Sequence, residues 1–291
     1  MFKVKIGDLI YEPGHQVMQK PPGIITLTTD FGESDSYVAM MKGVILSINP
    51  NATIIDITHQ IPARSIKEGG MIIKESYTYF PSGTVHVGVV DPGVGGTRRP
   101  IAVIVEGYFF VGPDNGLFST IIEAHRHADV IHLKETKYWM HSISPTFHGR
   151  DIFAPVAAHL SLGLNPFRMG DKIDNPTPLA SPLPHENNSV LVGEIIRVDH
   201  FGNLITNITR KHLSPFLASK DLIITVGRLT LKKISTTYND VPEGKPLALI
   251  GSSNLLEIAV NMGKATDCLG REYGVGTKVQ VSSIGLNSSE E

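Results

Sequence analysis

"IITLTTDFGESDSYVAMMKGVILSI", residues 24–48, decides the fold. A short β-branched apolar run ends in Asp30, the pattern of a buried strand. Directly after it, Tyr37, Met40, Met41, Val44, Ile45 and Ile48 recur at helical spacing, with Ser34 or Asp35 available as a cap. The next stretches repeat the theme. "ATIIDIT" predicts a strand, and "SIKEGGMIIKESYTYF" a helix despite its Gly-Gly. "TVHVGVV", "PIAVIVEG" and "YFFVGPD" predict further strands. Strands alternating with helices imply an α/β domain with a mostly parallel sheet. Ligands of such sheets bind beyond the carboxyl ends of the strands, and Asp30 and Asp91 both stand at such ends.

Domain organisation follows from a change in composition. "DNPTPLASPLPHENN", residues 174–188, loses all apolar periodicity, and four of the chain's 19 prolines fall within it. It reads as a linker. Beyond it, "VLVGEIIRVD", "LIITVG", "LTLKKIS", "PLALIG" and "KVQVSS" are short strand-like runs separated by Gly, Asp and Asn turns, which predicts a smaller, mainly β domain. "QKPPG" closes an N-terminal extension. The expected division is therefore extension 1–22, α/β domain 23–173, linker 174–188 and β domain 189–291.

Bulk properties narrow the function. A chain of 291 residues with 41% hydrophobic and 19% charged residues is an ordinary globular composition. A formal charge of −2 argues against a nucleic-acid binder, which carries a broad basic face. The single cysteine, Cys268, cannot form an internal disulfide, and no Cys/His spacing fits a zinc site, so no metal is expected. No apolar run approaches the ~18 residues that span a bilayer, and the first residues lack a signal-peptide core. The expected compartment is the cytoplasm, with no membrane partner.

The chemistry concentrates in a few stretches. "VHVGVVDPGVGGTRRP", residues 85–100, ends a strand in Asp91 and places Arg98 seven positions later. No Gly-Lys-Ser/Thr ending marks a phosphate loop. An ion-paired turn and a catalytic pair both remain open. "SPTFHGRDIFAPVAAHL" sets His148 beside Gly149, with Asp151 a natural N-cap for the helix that follows. Asp30 suits a pair of ribose hydroxyls, as an acidic residue does in dinucleotide sites. In the second domain, "VDHFGNLITNI" and "IGSSNLLEIAVNMG" are dense polar clusters. Asn203 reads as a turn residue, and Ser252 or Ser253 as a cap for a helix-like "NLLEIAVNM". His59, His86, His125, His127, His132 and His159 read as structural.

Seven motifs in order carry a resemblance: "TLTTDFG", "INPNATIIDITH", "GTVHVGVVDPGVG", "VGPDNGL", "TFHGRDIFAP", "FGNLITNI" and "LEIAVN". Together they cover about residues 23–285 and are similar to the S-adenosylmethionine hydroxide adenosyltransferases, hydrolases related to the fluorinase and chlorinase. That resemblance implies an N-terminal α/β/α domain, a C-terminal β-barrel and a homotrimer with active sites at subunit interfaces. It implies S-adenosyl-L-methionine as substrate, with no separate cofactor.

The resemblance places a catalytic set on Asp91, Arg98 and His148, which would present a water to the C5′ carbon. It places ribose recognition on Asp30, adenine stacking on Phe201, and substrate contacts on Asn203, Ser252, Glu257 and Val260. Asp199 would meet the methionine ammonium. In the related halogenases a tyrosine stands in place of Asp91, and in the fluorinase a halide-contacting serine in place of Gly149. A carboxylate repels halide, so hydrolysis is favoured over 5′-halogenation. A non-catalytic adenosyl-binding trimer is the remaining alternative.

Overall fold

The apolar runs pair into sheets in the order that burial requires. The computed structural model describes residues 4–6, 9–11, 21–180, 182–217, 221–270 and 273–283. Of the extension 1–22, β1 (Val4–Ile6) and β2 (Leu9–Tyr11) pair antiparallel, and nearly all the rest lies outside the described residues. The chain divides into two units, Met1–Ala180 and Ser181–Glu291.

The first unit is built on a seven-stranded sheet. Its strands are β3 (Ile24–Thr29), β4 (Thr53–Thr58), β5 (Val85–Val89), β6 (Pro100–Val105), β7 (Tyr108–Pro113), β8 (Asp129–Leu133) and β9 (Gly170–Lys172). They lie in the order β4-β3-β5-β7-β6-β8-β9. The pairs among β4, β3, β5 and β7 are parallel, while β6 and β9 run antiparallel to their neighbours. Five of the seven strands thus share one direction, in a mixed sheet whose β4-β3-β5-β7 part is parallel and whose β7-β6-β8-β9 part is antiparallel.

Burial on both faces explains the near-continuous apolar character of β5 and β7. On one face, Met41 and Ile45 of α1 (Tyr37–Ile48) pack with Val156 and Leu160 of α4 (Ala154–Ser161) over Ile25, Leu27, Val85 and Val87. On the other, α2 (Ile66–Ser76) and α3 (Ser119–Ala124) bury Ile73 and Ile121 against Val103 and Phe110. The Gly-Gly of α2 has a packing cause. A Cβ on Gly70 would sit 2.5 Å from the Leu117 carbonyl oxygen, so the helix lies closer than any side chain allows. At α1 the expected caps are not used, because Ser36 is the N-cap and makes no side-chain bond to the helix.

The segment 174–180 is tied to this unit. Arg99 donates to Asn175, the Thr177 N–H donates to Asp114, and the Leu179 N–H donates to Ser119. Asp114 is itself buried and paired with Arg99.

The second unit holds one sheet. Its strands are β10 (His185–Asn187), β11 (Val190–Val198), β12 (Leu204–Thr209), β13 (Leu222–Val226), β14 (Leu229–Leu231), β15 (Ile234–Ser235), β16 (Pro246–Ile250), β17 (Leu255–Val260) and β18 (Lys278–Ser283). The path β14-β13-β18-β11-β12-β17-β16-β15 curls until β14 lies against β16, which makes a nearly closed barrel. Two short helices, α5 (Arg210–Leu213) and α6 (Ala265–Leu269), flank it.

"NLLEIAVNM" is a strand, which corrects the helical reading. β17 pairs with β12 on one side and β16 on the other, and Leu256 to Val260 are all buried. Two ladders and a buried position outweigh the helix preference of Leu, Glu and Ala. Ser252 accordingly belongs to the turn between β16 and β17, where the Asn254 N–H donates to the Gly251 carbonyl.

His86 gives the first unit a measurable pH dependence. It is 2% exposed on β5, 2.8 Å from Thr26 Oγ1, with its ring stacked on Phe110. Burial pushes its pKa down to about 3. An unfolded chain takes up that proton near pH 6.5, so the stability is whole above pH 6.5 and is lost as pH falls toward 3. The slope is ~1.4 kcal/mol per pH unit. Between pH 7 and pH 5 the native chain is expected to lose about 2 kcal/mol more than His86→Gln. Urea unfolding followed through Trp139, the single tryptophan and part of this unit, measures the difference.

Candidate active site

β3 and β5 are neighbours whose connections leave in opposite directions. α1 carries the chain outward to β4, and α2 returns it past β3 to β5. Where strand order reverses in this way, the carboxyl ends open a crevice. Asp30 follows β3 and Asp91 follows β5, so the turn chemistry of both strands meets there. A pocket of about 280 Å³ occupies the crevice, with Asp30, Asp91 and His148 in its wall beside Phe31, Arg64 and Phe147.

Arg98 stands behind this wall and ties two segments together. Its Nε donates to Asp91 Oδ1 at 3.0 Å, and Nη2 donates to Asp91 Oδ2. The same Nη2 lies 2.7 Å from His148 Nδ1. The guanidinium also covers the Phe153 ring at 5.3 Å. The side chains of Arg98 and Asp91 are only 9% and 5% exposed, so this is a desolvated pair rather than a surface one.

Local sequence explains why the two loops meet. Gly95 has φ +74°, and a Cβ there would fall 2.1 Å from the Pro145 carbonyl oxygen. Only glycine lets the Asp91–Arg99 turn lie so close to the peptide leading to His148. The end of β5 is pinned separately, by Asn115 Nδ2 donating to the Val90 carbonyl at 2.9 Å. His148 begins a π-helical turn, Gly149–Phe153, closed by the Ala154 N–H on the Gly149 carbonyl. Turns of this type are rare and gather at functional sites. Asp151 does not cap α4, as the sequence reading expected. It is buried inside the π-turn, accepting from the Ser144 N–H at 2.8 Å and from Arg150 Nε at 2.6 Å.

The His148 ring is held neutral. Burial and then the Arg98 charge push its pKa down, against a smaller opposing pull from Asp91 and Asp151. A guanidinium has donors only, so Nδ1 must accept, and the neutral ring carries its proton on Nε2. The site therefore combines a carboxylate acceptor with an imidazole N–H donor, both oriented by one cation.

Asp30 is held by main chain, its Oδ2 accepting from the Arg64 N–H at 2.8 Å. Arg64 has φ +69°, uncommon for a residue other than glycine. Its place in the wall escaped the sequence reading, because a left-handed turn before a helix has no signature in an arginine. Phe147 meets Phe31 and Tyr37 edge to face, and those two rings are tilted to each other.

The other predicted contacts lie in the second unit. Asp199 accepts from the Asn203 N–H at 2.8 Å and from Asn203 Nδ2 at 2.9 Å. Asn203, Glu257 and Val260 are buried, Ser252 is exposed, and Phe201 stands 71% exposed. Tyr238, which the sequence reading passed over, donates to Glu257 Oε2 at 3.3 Å. Among the described residues no three His, Cys, Asp or Glu side chains are grouped to hold a metal, and no helix is long and apolar enough to cross a membrane.

Comparison with known proteins gives a consistent result. The model of the SAM hydroxide adenosyltransferase N-terminal domain matches residues 25–170, and that of the C-terminal domain matches residues 193–278. An (R)-S-adenosyl-L-methionine hydrolase from Thermus thermophilus is 36% identical, over 86% of this chain and 97% of its own. One from Methanocaldococcus jannaschii is 34% identical, over 86% and 93%. A fluorinase from Actinoplanes is 30% identical, over 82% and 91%. The crystal structure of an uncharacterized conserved protein from Thermotoga maritima superposes with a TM-score of 0.83 at 36% identity, covering 89% of this chain and 99% of that one.

The shared guanidinium makes a prediction about His148. In Arg98→Met the ring loses both the neighbouring charge and the obligatory donor at Nδ1. Its pKa is expected to rise relative to the native chain, and the preference for the Nε2–H form should weaken. Nitrogen-15 NMR of the imidazole across pH reads both changes; an unchanged titration would refute the arrangement.

Proposed function

The chain belongs to the SAM hydroxide adenosyltransferase family, and from that premise we propose that it hydrolyses S-adenosyl-L-methionine to adenosine and L-methionine. The observation that carries the reading is Arg98 bridging Asp91 and His148 at the wall of the strand-end pocket. The relatives' names specify the (R) form at sulfur, and the same form is proposed here.

The chemistry is a displacement at C5′. An oxygen–carbon bond forms as the carbon–sulfur bond breaks, and its electron pair leaves on methionine as a neutral thioether. Water loses a proton in the process. With His148 protonated on Nε2, that nitrogen can orient the water as a donor, and the Asp91 carboxylate is the group placed to take the proton. A nucleophile gaining negative charge against a sulfonium loses charge separation in the transition state, and a desolvated pocket strengthens that attraction. In-line placement of oxygen, carbon and sulfur supplies much of the remaining rate.

Asp30 is proposed to bind the ribose hydroxyls. Phe201, Asn203, Ser252, Glu257 and Val260 are proposed to hold the nucleoside, and Asp199 the ammonium. A homotrimer in which the next subunit completes each site, working in the cytoplasm without a separate cofactor, belongs to the same proposal. Halide is disfavoured at two points. Asp91 is an acceptor without a proton to offer chloride, and a Cβ on Gly149 would press within 3.3 Å of Met41 Sδ and the Phe147 ring. That leaves little room for a halide-binding hydroxyl.

Incubation with S-adenosyl-L-methionine in the presence of chloride, with the nucleoside identified by mass, tests the reading. Free adenosine is expected; a chlorinated nucleoside or untouched substrate would overturn it. Asp91→Ala should lower kcat about 10³-fold while adenosine still binds. Because His148 works as the neutral ring and its pKa is depressed, kcat/KM is expected to hold through neutral pH and to fall only below pH 6.5. A midpoint above that value would contradict the role given to the imidazole.

A further inference from the structure

A second polar chain runs beneath Asp30 and ends on both of its neighbours in sequence. Thr29, fully buried at the end of β3, accepts from the Phe31 N–H at 3.2 Å. Its Oγ1 lies 2.8 Å from Nδ1 of His59, which is 5% exposed. His59 also takes hold of the turn by its main chain, its carbonyl accepting from the Gly32 N–H at 2.8 Å. Behind the ring, Nε2 is 3.1 Å from Asp56 Oδ1, without the alignment of a full hydrogen bond. Asp56 is in turn 2.5 Å from Lys42 Nζ.

In the neutral ring, a proton on Nε2 faces the Asp56 carboxylate and leaves Nδ1 to accept from the Thr29 hydroxyl. The Thr29 Oγ1 keeps a lone pair for the Phe31 N–H. Each group has one role, and the outcome is a Thr29–Gly32 turn gripped at residues 29, 31 and 32. Asp30 and Phe31 are the residues of that turn that line the pocket, and Asp30 Oδ2 is fixed from the other side by the Arg64 N–H. A buried histidine serving packing alone would need no such termination on the flanks of one carboxylate.

We propose that Thr29 and His59, backed by Asp56, are positioning residues that aim the Asp30 carboxylate at the ribose hydroxyls and so set the preference for a ribonucleoside. The inference rests on the proposed role of Asp30. It gives Thr29 and His59 no contact with the reacting atoms, so their effect belongs in ligand affinity and KM rather than in the displacement step.

The test compares adenosine with 2′,3′-dideoxyadenosine by calorimetry on the full chain. The native protein is expected to favour adenosine strongly. Thr29→Val keeps the shape of the side chain and removes the hydroxyl; it should shrink the affinity ratio about 10-fold, with KM raised and kcat within about 3-fold of native. Thr29→Ser should restore the ratio, and His59→Gln should resemble Thr29→Val. Equal weakening of both nucleosides in Thr29→Val and His59→Gln would reveal a purely structural role and overturn the proposal. Asp30→Ala separates the two layers. If it leaves the ratio unchanged, the ribose reading fails and this inference with it. If it collapses the ratio while Thr29→Val does not, the relay alone is refuted.

Discussion

One guanidinium holds the site together. Arg98 forks onto both oxygens of Asp91 and reaches His148 with the same terminal nitrogen. Removing a carboxylate and a cation from water costs several kcal/mol per ion, which only close, multiply bonded geometry offsets. Lysine cannot provide it, since an ammonium lacks the planar fork that meets two carboxylate oxygens at once. The rest of the pocket wall answers to this requirement. Two loops separated by some fifty residues must come within hydrogen-bond distance, and a glycine at 95 makes that approach possible.

The sheet supplies the rigidity that the loops lack. β3 and β5 are buried on both faces and paired along their length, so Asp30 and Asp91 start from fixed points. Loops ending such strands can change chemistry without disturbing the floor. Hydrolase and fluorinase relatives at 36% and 30% identity fit that division of labour.

Much of this was legible in the residues. Asp30 and Asp91 declared themselves by ending buried apolar runs, and parallel-sheet topology then put them at one crevice. Arg98 and His148 were legible only through the family motifs, because no local rule brings position 98 to position 148. Misreadings occurred where tertiary partners overrode local preference. β17 looks helical by its Leu-Glu-Ala content and becomes a strand because neighbours on both sides complete its ladder. Asp151 resembles a cap and instead satisfies the Ser144 amide from inside a widened turn. Thr29 and His59 stand inside two of the family motifs, yet neither was assigned a role and His59 read as structural, since a threonine in a strand and a histidine after one are ordinary residues until their contacts are known.

The widened turn also constrains chain length. A π-turn holds one residue more than an α-turn, so Gly149–Phe153 behaves as a single-residue insertion at the base of α4. That helix is anchored by Val156, Ala157 and Leu160 in the core and cannot rotate freely. Deleting one residue would convert the stretch to regular helix and swing everything ahead of it by about 100° around the axis. The imidazole would then leave the guanidinium even with every site side chain retained. Within these five positions, spacing is as binding as identity, and a homologue with a gap here would share the fold without sharing the chemistry.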